Sequence, residues 1–302
     1  MAPTEIELKT EQPFNILVRR RAAIGDVIMT TGVVRELKLR YGDNANIDIA
    51  TDAIEVYRNN PHIRHIIPVD TLSHVDQQYQ VYINLDEAYE INPTQNYVDN
   101  YFYRAFGTLD MDRSVELFPS DDDRKQVDND LDSNQIGKFI VVHMRNWHWA
   151  AKNISIQTWL DVYTKLFTER ADFKVVCVGG PTDFYIEDHP LFFDARGKYN
   201  SQQLKYLCDH AQCFVGIDSG PYWCASASKT PMVALLTHLR PEVIQPSRIA
   251  EFAAIQTQED CRGCNDVQQR PIRFIDCKKS TYPCTSNWDT DLIANTILTH
   301  LT

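Results

Sequence analysis

Five short stretches carry residues whose types and spacing suit chemistry. The first, Arg19-Arg20-Arg21-Ala22-Ala23-Ile24-Gly25-Asp26, closes on a carboxylate. Gly25 suits a tight turn. Asp26 falls at or near the N-cap of the next helix, so it reads either as a plain cap or as a carboxylate placed to take a proton. The second runs from His143 through Arg145, Asn146 and two tryptophans to Lys152, just before a helix that Ser155 would cap. A lysine beside a helix N-terminus suits a diphosphate, because its ammonium and the free backbone N–H groups both favour anions. The plain alternative is a solvated loop lysine among packed tryptophans. The third is Asp218-Ser219-Gly220-Pro221. Gly220 lets backbone approach a ligand and Pro221 suits a first helical turn, so the Ser219 and Gly220 N–H groups could cradle a phosphate. Otherwise it is an ordinary strand-to-helix turn. The fourth, Val178-Gly179-Gly180-Pro181-Thr182-Asp183, is a weak glycine turn. No GxGxxG follows either domain-opening strand and no GxxxxGK[ST] is present, which counts against a dehydrogenase and a P-loop NTPase.

The fifth is Cys261-x2-Cys264-x12-Cys277-x6-Cys284. Four cysteines inside 24 residues, opening on CxxC, form a good tetrahedral metal pattern. Zinc is the common occupant and iron a possible one. Two disulfides or unpaired thiols are the alternatives. With all four ligands from protein, the expected role is structural. Cys177, Cys208, Cys213 and Cys224 lie in apolar segments and read as buried small hydrophobes.

Strand ends must position these groups. Phe14–Val18 is an apolar run, and Val27, Ile28, Val33, Val34, Leu37 and Leu39 then recur at roughly helical spacing up to Gly42. Further strands are expected at Ile47–Ala50, Ile66–Val69 and Val81–Leu85, with a helix over Asn96–Phe106. The stretch Pro119–Gln135 holds six aspartates and few apolar residues, and reads as an interdomain linker or solvated surface segment. The alternation then restarts. Strands are expected at Phe139–His143, Phe173–Val178, Cys213–Ile217 and Met232–Leu236. Helices are expected after Ser155 and over Ser201–Ala211, Tyr222–Ser228 and Asp291–Leu301. The expectation is an α/β chain of two doubly wound, Rossmann-like domains, 1–135 and 136–302, facing a cleft at their strand ends.

Composition sets outer limits. The 302 residues, 43% hydrophobic and 24% charged, suffice for two domains. The net charge is −11, and residues 51–135 hold 17 acidic against 6 basic side chains. Bulk nucleic-acid binding is therefore disfavoured, with the arginine run at 19–21 the main candidate for a local basic groove. No apolar run spans a membrane and the N-terminus has no apolar core, so a soluble cytoplasmic protein is expected.

In order, these stretches resemble glycosyltransferase family 9, the heptosyltransferase-like enzymes of the GT-B fold. ILVRRRAAIGDVIMTTGVVRELKLRYG is similar to the family's opening strand, glycine-aspartate turn and helix. NPHIRHII is similar to its next landmark, HMRNWHWAAKN to its strand-end His and donor lysine, and VVCVGGPTD to the following turn. FVGIDSGPYWCASASKTPMVAL resembles its most specific landmark. The resemblance implies inverting transfer of a sugar from a nucleotide-diphosphate donor to a hydroxyl on a glycan, a protein or a modified nucleobase. It implies that Asp26 is the general base, Lys152 the phosphate-binding lysine and Asp218, Ser219 and Gly220 the donor turn. His143, Arg145, Asn146, Gly180, Asp183 and Trp223 join them on the donor side. The first domain would bind acceptor and the second the nucleotide sugar. No catalytic divalent metal is implied, and no DxD motif stands at a strand end. Trp223 departs from the family, which usually has His there, and so puts an ADP-heptose donor in doubt. Some relatives that glycosylate autotransporters are similar in carrying a cysteine-ligated iron. The competing expectations are an epimerase-like GT-B enzyme, which would turn over donor without acceptor, and a degenerate, non-catalytic nucleotide-sugar binder.

Overall fold

The computed structural model describes residues 12–74, 78–264, 277 and 279–301. Four parallel strands, β1 (Phe14–Arg19), β2 (Ala45–Ala50), β3 (His65–Ile67) and β4 (Val81–Asn84), form one sheet in the order β3-β2-β1-β4. Six more, β5 (Phe139–His143), β6 (Lys174–Cys177), β7 (Phe192–Asp194), β8 (Phe214–Gly216), β9 (Met232–Leu236) and β10 (Phe252–Gln256), form a second parallel sheet in the order β10-β9-β8-β5-β6-β7. The two parallel sheets match the expected pair of doubly wound, Rossmann-like halves. Strand order reverses at β1/β4 in the first sheet and at β5/β8 in the second, and such reversals open crevices at the carboxyl ends.

Burial follows the two-residue strand period. In β5, Phe139 and Val141 join one apolar cluster while Ile140 and Val142 join another on the opposite face. The first of these clusters is continuous with the core of the first sheet, including Ile16, Val18, Ile47 and Ile49.

The helical pattern after Gly25 divides into α1 (Ile24–Met29) and α2 (Thr31–Tyr41). Thr30 makes the break. Its hydroxyl donates to the Val27 carbonyl at 2.7 Å and lies 2.8 Å from Tyr57 Oη, a local bond that competes with continued helix. Asn96 caps α3 (Tyr97–Phe106).

The segment 119–135, expected as a linker or solvated surface, stands between the two sheets and is largely exposed, but it is helical. It contains α4 (Asp121–Ser133), a helix of 13 residues. Ser120 Oγ accepts from the Asp123 amide and Asp123 accepts from the Ser120 amide, a reciprocal cap. Val127 and Leu131, four apart, bury one face, and three aspartates in the first turn suit the positive end of the helix.

In the second half follow α5 (Ile156–Glu169), capped by Ser155, α6 (Ser201–Asp209), α7 (Gly220–Ser226), the short α8 (Pro241–Ile244) and α9 (Thr290–Thr299). α4 packs on α6, where Asn200 Nδ2 donates to Asp123 at 3.2 Å and Gln203 Nε2 to Gln126 at 2.8 Å. Gln202 Nε2 donates to the Val56 carbonyl at 2.9 Å and Asn96 Nδ2 to the Glu242 carbonyl at 3.0 Å, joining the two halves. No helix among the described residues is long and apolar enough to cross a membrane.

Candidate active site and cysteine pocket

A cleft of about 530 Å³ opens at the carboxyl ends of β5, β6 and β8. His143, Arg145 and Asn146 line it from β5, Gly180 and Asp183 from β6, and Ser219 and Gly220 from β8. Ile24 and Glu55 close it from the first half. Asp183 organises one wall. Its Oδ1 accepts from the Asn146 amide at 2.8 Å, and its Oδ2 accepts from the Gly180 amide at 2.7 Å and lies 3.0 Å from His143 Nε2. Burial opposes its ionisation, but the bonds from His143 and the two amides prevail and hold the carboxyl below its ordinary range. His143 Nδ1 meets Ser219 Oγ at 2.9 Å, and that oxygen also accepts from the Tyr222 amide at 3.3 Å to cap α7. Gly179, at φ +126°, is required here, since a Cβ would stand 2.8 Å from His143 Nε2.

Behind this wall sits a buried knot. Asp218 accepts from Lys152 Nζ at 2.6 Å and from Trp223 Nε1 at 3.0 Å, while its carbonyl accepts from Arg145 Nη1 at 3.2 Å. Burial raises the Asp218 pKa, but Lys152 and then Arg145 outweigh it and keep the carboxyl below its ordinary range. Lys152 thus stands in an ion pair. It, Asp218 and Trp223 are not among the residues lining the cleft, so the cation the cleft presents is Arg145, stacked 4.3 Å over Trp147. Trp223, where a histidine was expected, gives its N–H to Asp218.

Asp26 is the third residue of α1 and not its cap, a position that Ala23 holds. Three donors fix its carboxylate: Arg20 Nη2 at 2.6 Å and the Ala23 amide at 3.1 Å on Oδ2, and Tyr89 Oη at 3.1 Å on Oδ1. Arg20 is 4% exposed and also pairs with Glu90 at 2.9 Å. Burial holds the Glu90 carboxyl above its ordinary range despite that pairing. No basic groove arises from the arginine run: Arg19 pairs with Asp86, Arg20 with Asp26 and Glu90, and Arg21 with Asp52. The start of α1 abuts the start of α7. A Cβ on Gly25 would lie 2.9 Å from Trp223 Cδ1 and 3.6 Å from Gly220 Cα. The Asp26 turn and the Asp218–Gly220 turn therefore pack directly on each other beside the cleft, and of the first turn it is Ile24, not Asp26, that lines it.

Cys261, Cys264, Cys277 and Cys284 line one small cavity of about 20 Å³, shared with Ala151, Thr237 and His238. All eight cysteines are thiols, and Cys177, Cys208, Cys213 and Cys224 are buried as expected. Burial and the three neighbouring cysteines push the Cys284 thiol up to about 12. Among the described residues, the donors that come within 4.8 Å of one another are Glu259, Asp260 and Cys261, so the four sulfurs stand wider apart than a closed ligand shell. Lys279 neutralises both of those carboxylates, at 2.7 Å and 2.6 Å.

Residues 73–270 match the family model described as glycosyltransferase family 9 (heptosyltransferase). The chain belongs to glycosyltransferase family 9. Among solved structures it is similar to a family 9 glycosyltransferase from Veillonella parvula, with 18% identity, a TM-score of 0.76 and 97% of this chain covering 98% of that one. It is also similar to ADP-heptose LPS heptosyltransferase II of E. coli, with 16% identity, a TM-score of 0.68 and coverage of 95% and 98%. A third, the iron-containing dodecameric glycosyltransferase TibC of enterotoxigenic E. coli, shows 15% identity, a TM-score of 0.67 and coverage of 97% and 80%. TibC has also been solved with ADP-D-beta-D-heptose. No curated protein sequence matches the chain.

In this family 9 glycosyltransferase, the donor-side residues marked in the sequence gather in two layers: the cleft wall and the Lys152–Asp218–Trp223 knot behind it. Asp26 stays on the first half, its carboxylate held by Arg20, the Ala23 amide and Tyr89 and outside the cleft lining. Sequence reading missed Tyr89, which donates to Asp26 from 63 residues away, Glu90, which shares Arg20 with Asp26, and His238, two residues past β9. The single usable signal for Arg20 was its place in a run whose other members pair elsewhere.

Proposed function

We propose that this chain is an inverting glycosyltransferase that moves a sugar from a nucleotide-diphosphate donor to an acceptor hydroxyl. One observation supports the reading: in a family 9 chain, the turn that carries Asp26 packs on the Ser219–Gly220 turn, beside the cleft that Ile24, Ser219 and Gly220 line. Asp26 takes the hydroxyl proton as that oxygen attacks the anomeric carbon. The bond to the diphosphate breaks on the opposite face, which inverts the centre. Arg145 and the Ser219–Gly220 amides meet the charge that develops on the leaving diphosphate. Lys152 supports them from one ion pair behind. The second half holds donor and the first presents acceptor. That TibC was solved with an ADP-heptose makes ADP-sugars the first donors to test.

The test is Asp26→Asn. Asn keeps the shape and loses the basic oxygen, so transfer falls by roughly 10²–10⁴-fold while donor affinity by calorimetry is kept. Near wild-type transfer would reject Asp26 as the base. Donor is found by thermal shift over a nucleotide-sugar panel, since a bound donor raises the melting temperature by mass action.

The same reading assigns a structural zinc or iron to Cys261, Cys264, Cys277 and Cys284. Four soft thiol donors around one cavity suit either ion once the sulfurs draw in, and when bound it would cross-link the C-terminal segment. The iron content of TibC supports this. Elemental analysis should find about one ion per chain, as expected for a single four-thiolate site.

A further inference from the structure

The cysteine cavity has a fifth occupant that the mechanism leaves unused. His238 follows β9 and is 2% exposed. Its Nδ1 lies 3.1 Å from the Ala151 carbonyl oxygen and 2.9 Å from Thr237 Oγ1, and the Thr237 hydroxyl itself donates to that same carbonyl. A carbonyl only accepts, so Nδ1 carries the proton. In a neutral ring this leaves Nε2 as a bare lone pair. That nitrogen is buried and finds no hydrogen-bond partner among the described residues. Trp149 packs on the ring at 5.4 Å between centroids and holds it in place. The ring lines the same cavity as the four cysteines.

A buried acceptor without a donor calls for an explanation. An imidazole that gives one N–H to a backbone carbonyl while its other nitrogen stands bare is the arrangement a metal-ligating histidine adopts. Zinc sites of three cysteines and one histidine are as well formed as those of four cysteines. We propose that His238 Nε2 is a ligand of the metal held at the cysteine cavity, so that the shell is sulfur and nitrogen and not sulfur alone. The proposal rests on the metal reading above and puts this nitrogen in place of one of its four thiolates; like the sulfurs it must draw in on binding, since His238 stands in no group of three donors within 4.8 Å of one another among the described residues. It also joins the metal to the donor loop, because the carbonyl that orients His238 belongs to the residue preceding Lys152.

The test uses the full chain, stripped of metal and reloaded with Co²⁺, as wild type, His238→Ala and His238→Gln. In wild type, proton NMR of the cobalt protein should show a solvent-exchangeable, hyperfine-shifted imidazole N–H, from the Nδ1 proton of a bound ring. The variants should lose that resonance, show shifted cobalt d–d bands, and hold Zn²⁺ against a chromophoric chelator at least 10–100-fold more weakly, the loss typical of removing even an outer partner of a ligand. The wild-type resonance keeps the test valid should the variants fail to fold. A cobalt-loaded wild type with no such resonance, and variants with unchanged bands and zinc affinity, would overturn the histidine ligand and leave the cysteine site standing. A wild type that takes up neither ion would overturn both.

Discussion

Replacing Lys152 with Met strands a carboxylate. Asp218 would keep the Trp223 N–H at 3.0 Å and lose the ammonium at 2.6 Å. The side chains of the pair are 15% and 7% exposed, so solvent screens them little. Removing one partner of a buried pair costs about 3–5 kcal/mol, because the other charge stays buried without it. At roughly 2–4 °C per kcal/mol, the transition of the second half should fall by about 6–20 °C at neutral pH. The pH dependence identifies the cause. In wild type the Asp218 pKa is held below its unfolded value. Its contribution is thus present above the unfolded carboxylate pKa of about 3.9 and lost as pH falls through the lower folded value. In Lys152→Met, burial dominates and the folded pKa lies above the unfolded one. Folding then takes up a proton, and the variant regains stability as pH falls. The melting-temperature gap should be widest near pH 7.5 and narrow toward pH 5. Asp218→Asn added to Lys152→Met should restore part of the loss. A gap that is small, or that does not change with pH, would refute the buried-charge account. Donor affinity, measured in the same samples, should fall about 10–100-fold if Lys152 also supports the diphosphate, the weight of a charge-assisted contact.

Arg20→Met leaves Asp26 and Glu90 without their shared cation, and should lower stability by about 3 kcal/mol at neutral pH. Because the Glu90 pKa is already raised, that loss should shrink as pH falls, as denaturant melts across pH would show. Gly25→Val pushes a side chain into Trp223, whose Cδ1 is 2.9 Å from the site of the new Cβ. Separating the two turns by about 1 Å should lower transfer by about 10²-fold with the fold kept by circular dichroism, and wild-type rates would show that their contact is dispensable. Chelating the metal proposed for the cysteine cavity should lower the melting temperature of the C-terminal segment more than it changes donor preference, which thermal melts with and without chelator can compare.

Parallel strands flanked by glycine turns were legible because they are apolar runs bounded by residues of special backbone freedom. Phe139–His143 and Asp218–Gly220 stand where the sequence puts them. α4 was hidden by its own charge: six aspartates masked the Val127–Leu131 pair and the Ser120–Asp123 cap that make it a helix. β7 and β10 are edge strands whose residues are mostly half-buried, so neither reads as the fully apolar run that marks a central strand. The cysteine set was legible by spacing. What joins it to the rest was not, since His238 reaches it through a carbonyl 87 residues back. The Lys152–Asp218 and Arg20–Glu90 pairs are equally remote in sequence, and no local pattern signals a partner chosen by topology.

The two sheets draw their strands from separate stretches of the chain, β1 to β4 between residues 14 and 84 and β5 to β10 between 139 and 256. Among the described residues no strand is lent across. During synthesis at about 5–20 residues per second, the first sheet is therefore complete within seconds of its last strand clearing the ribosome, well before the second has all its members. What waits is the junction: α1 must keep its apolar side until α7, some 190 residues later, arrives to cover it. The turn that carries Asp26 is thus completed late, when the chain has made α7 and the second half can dock on it.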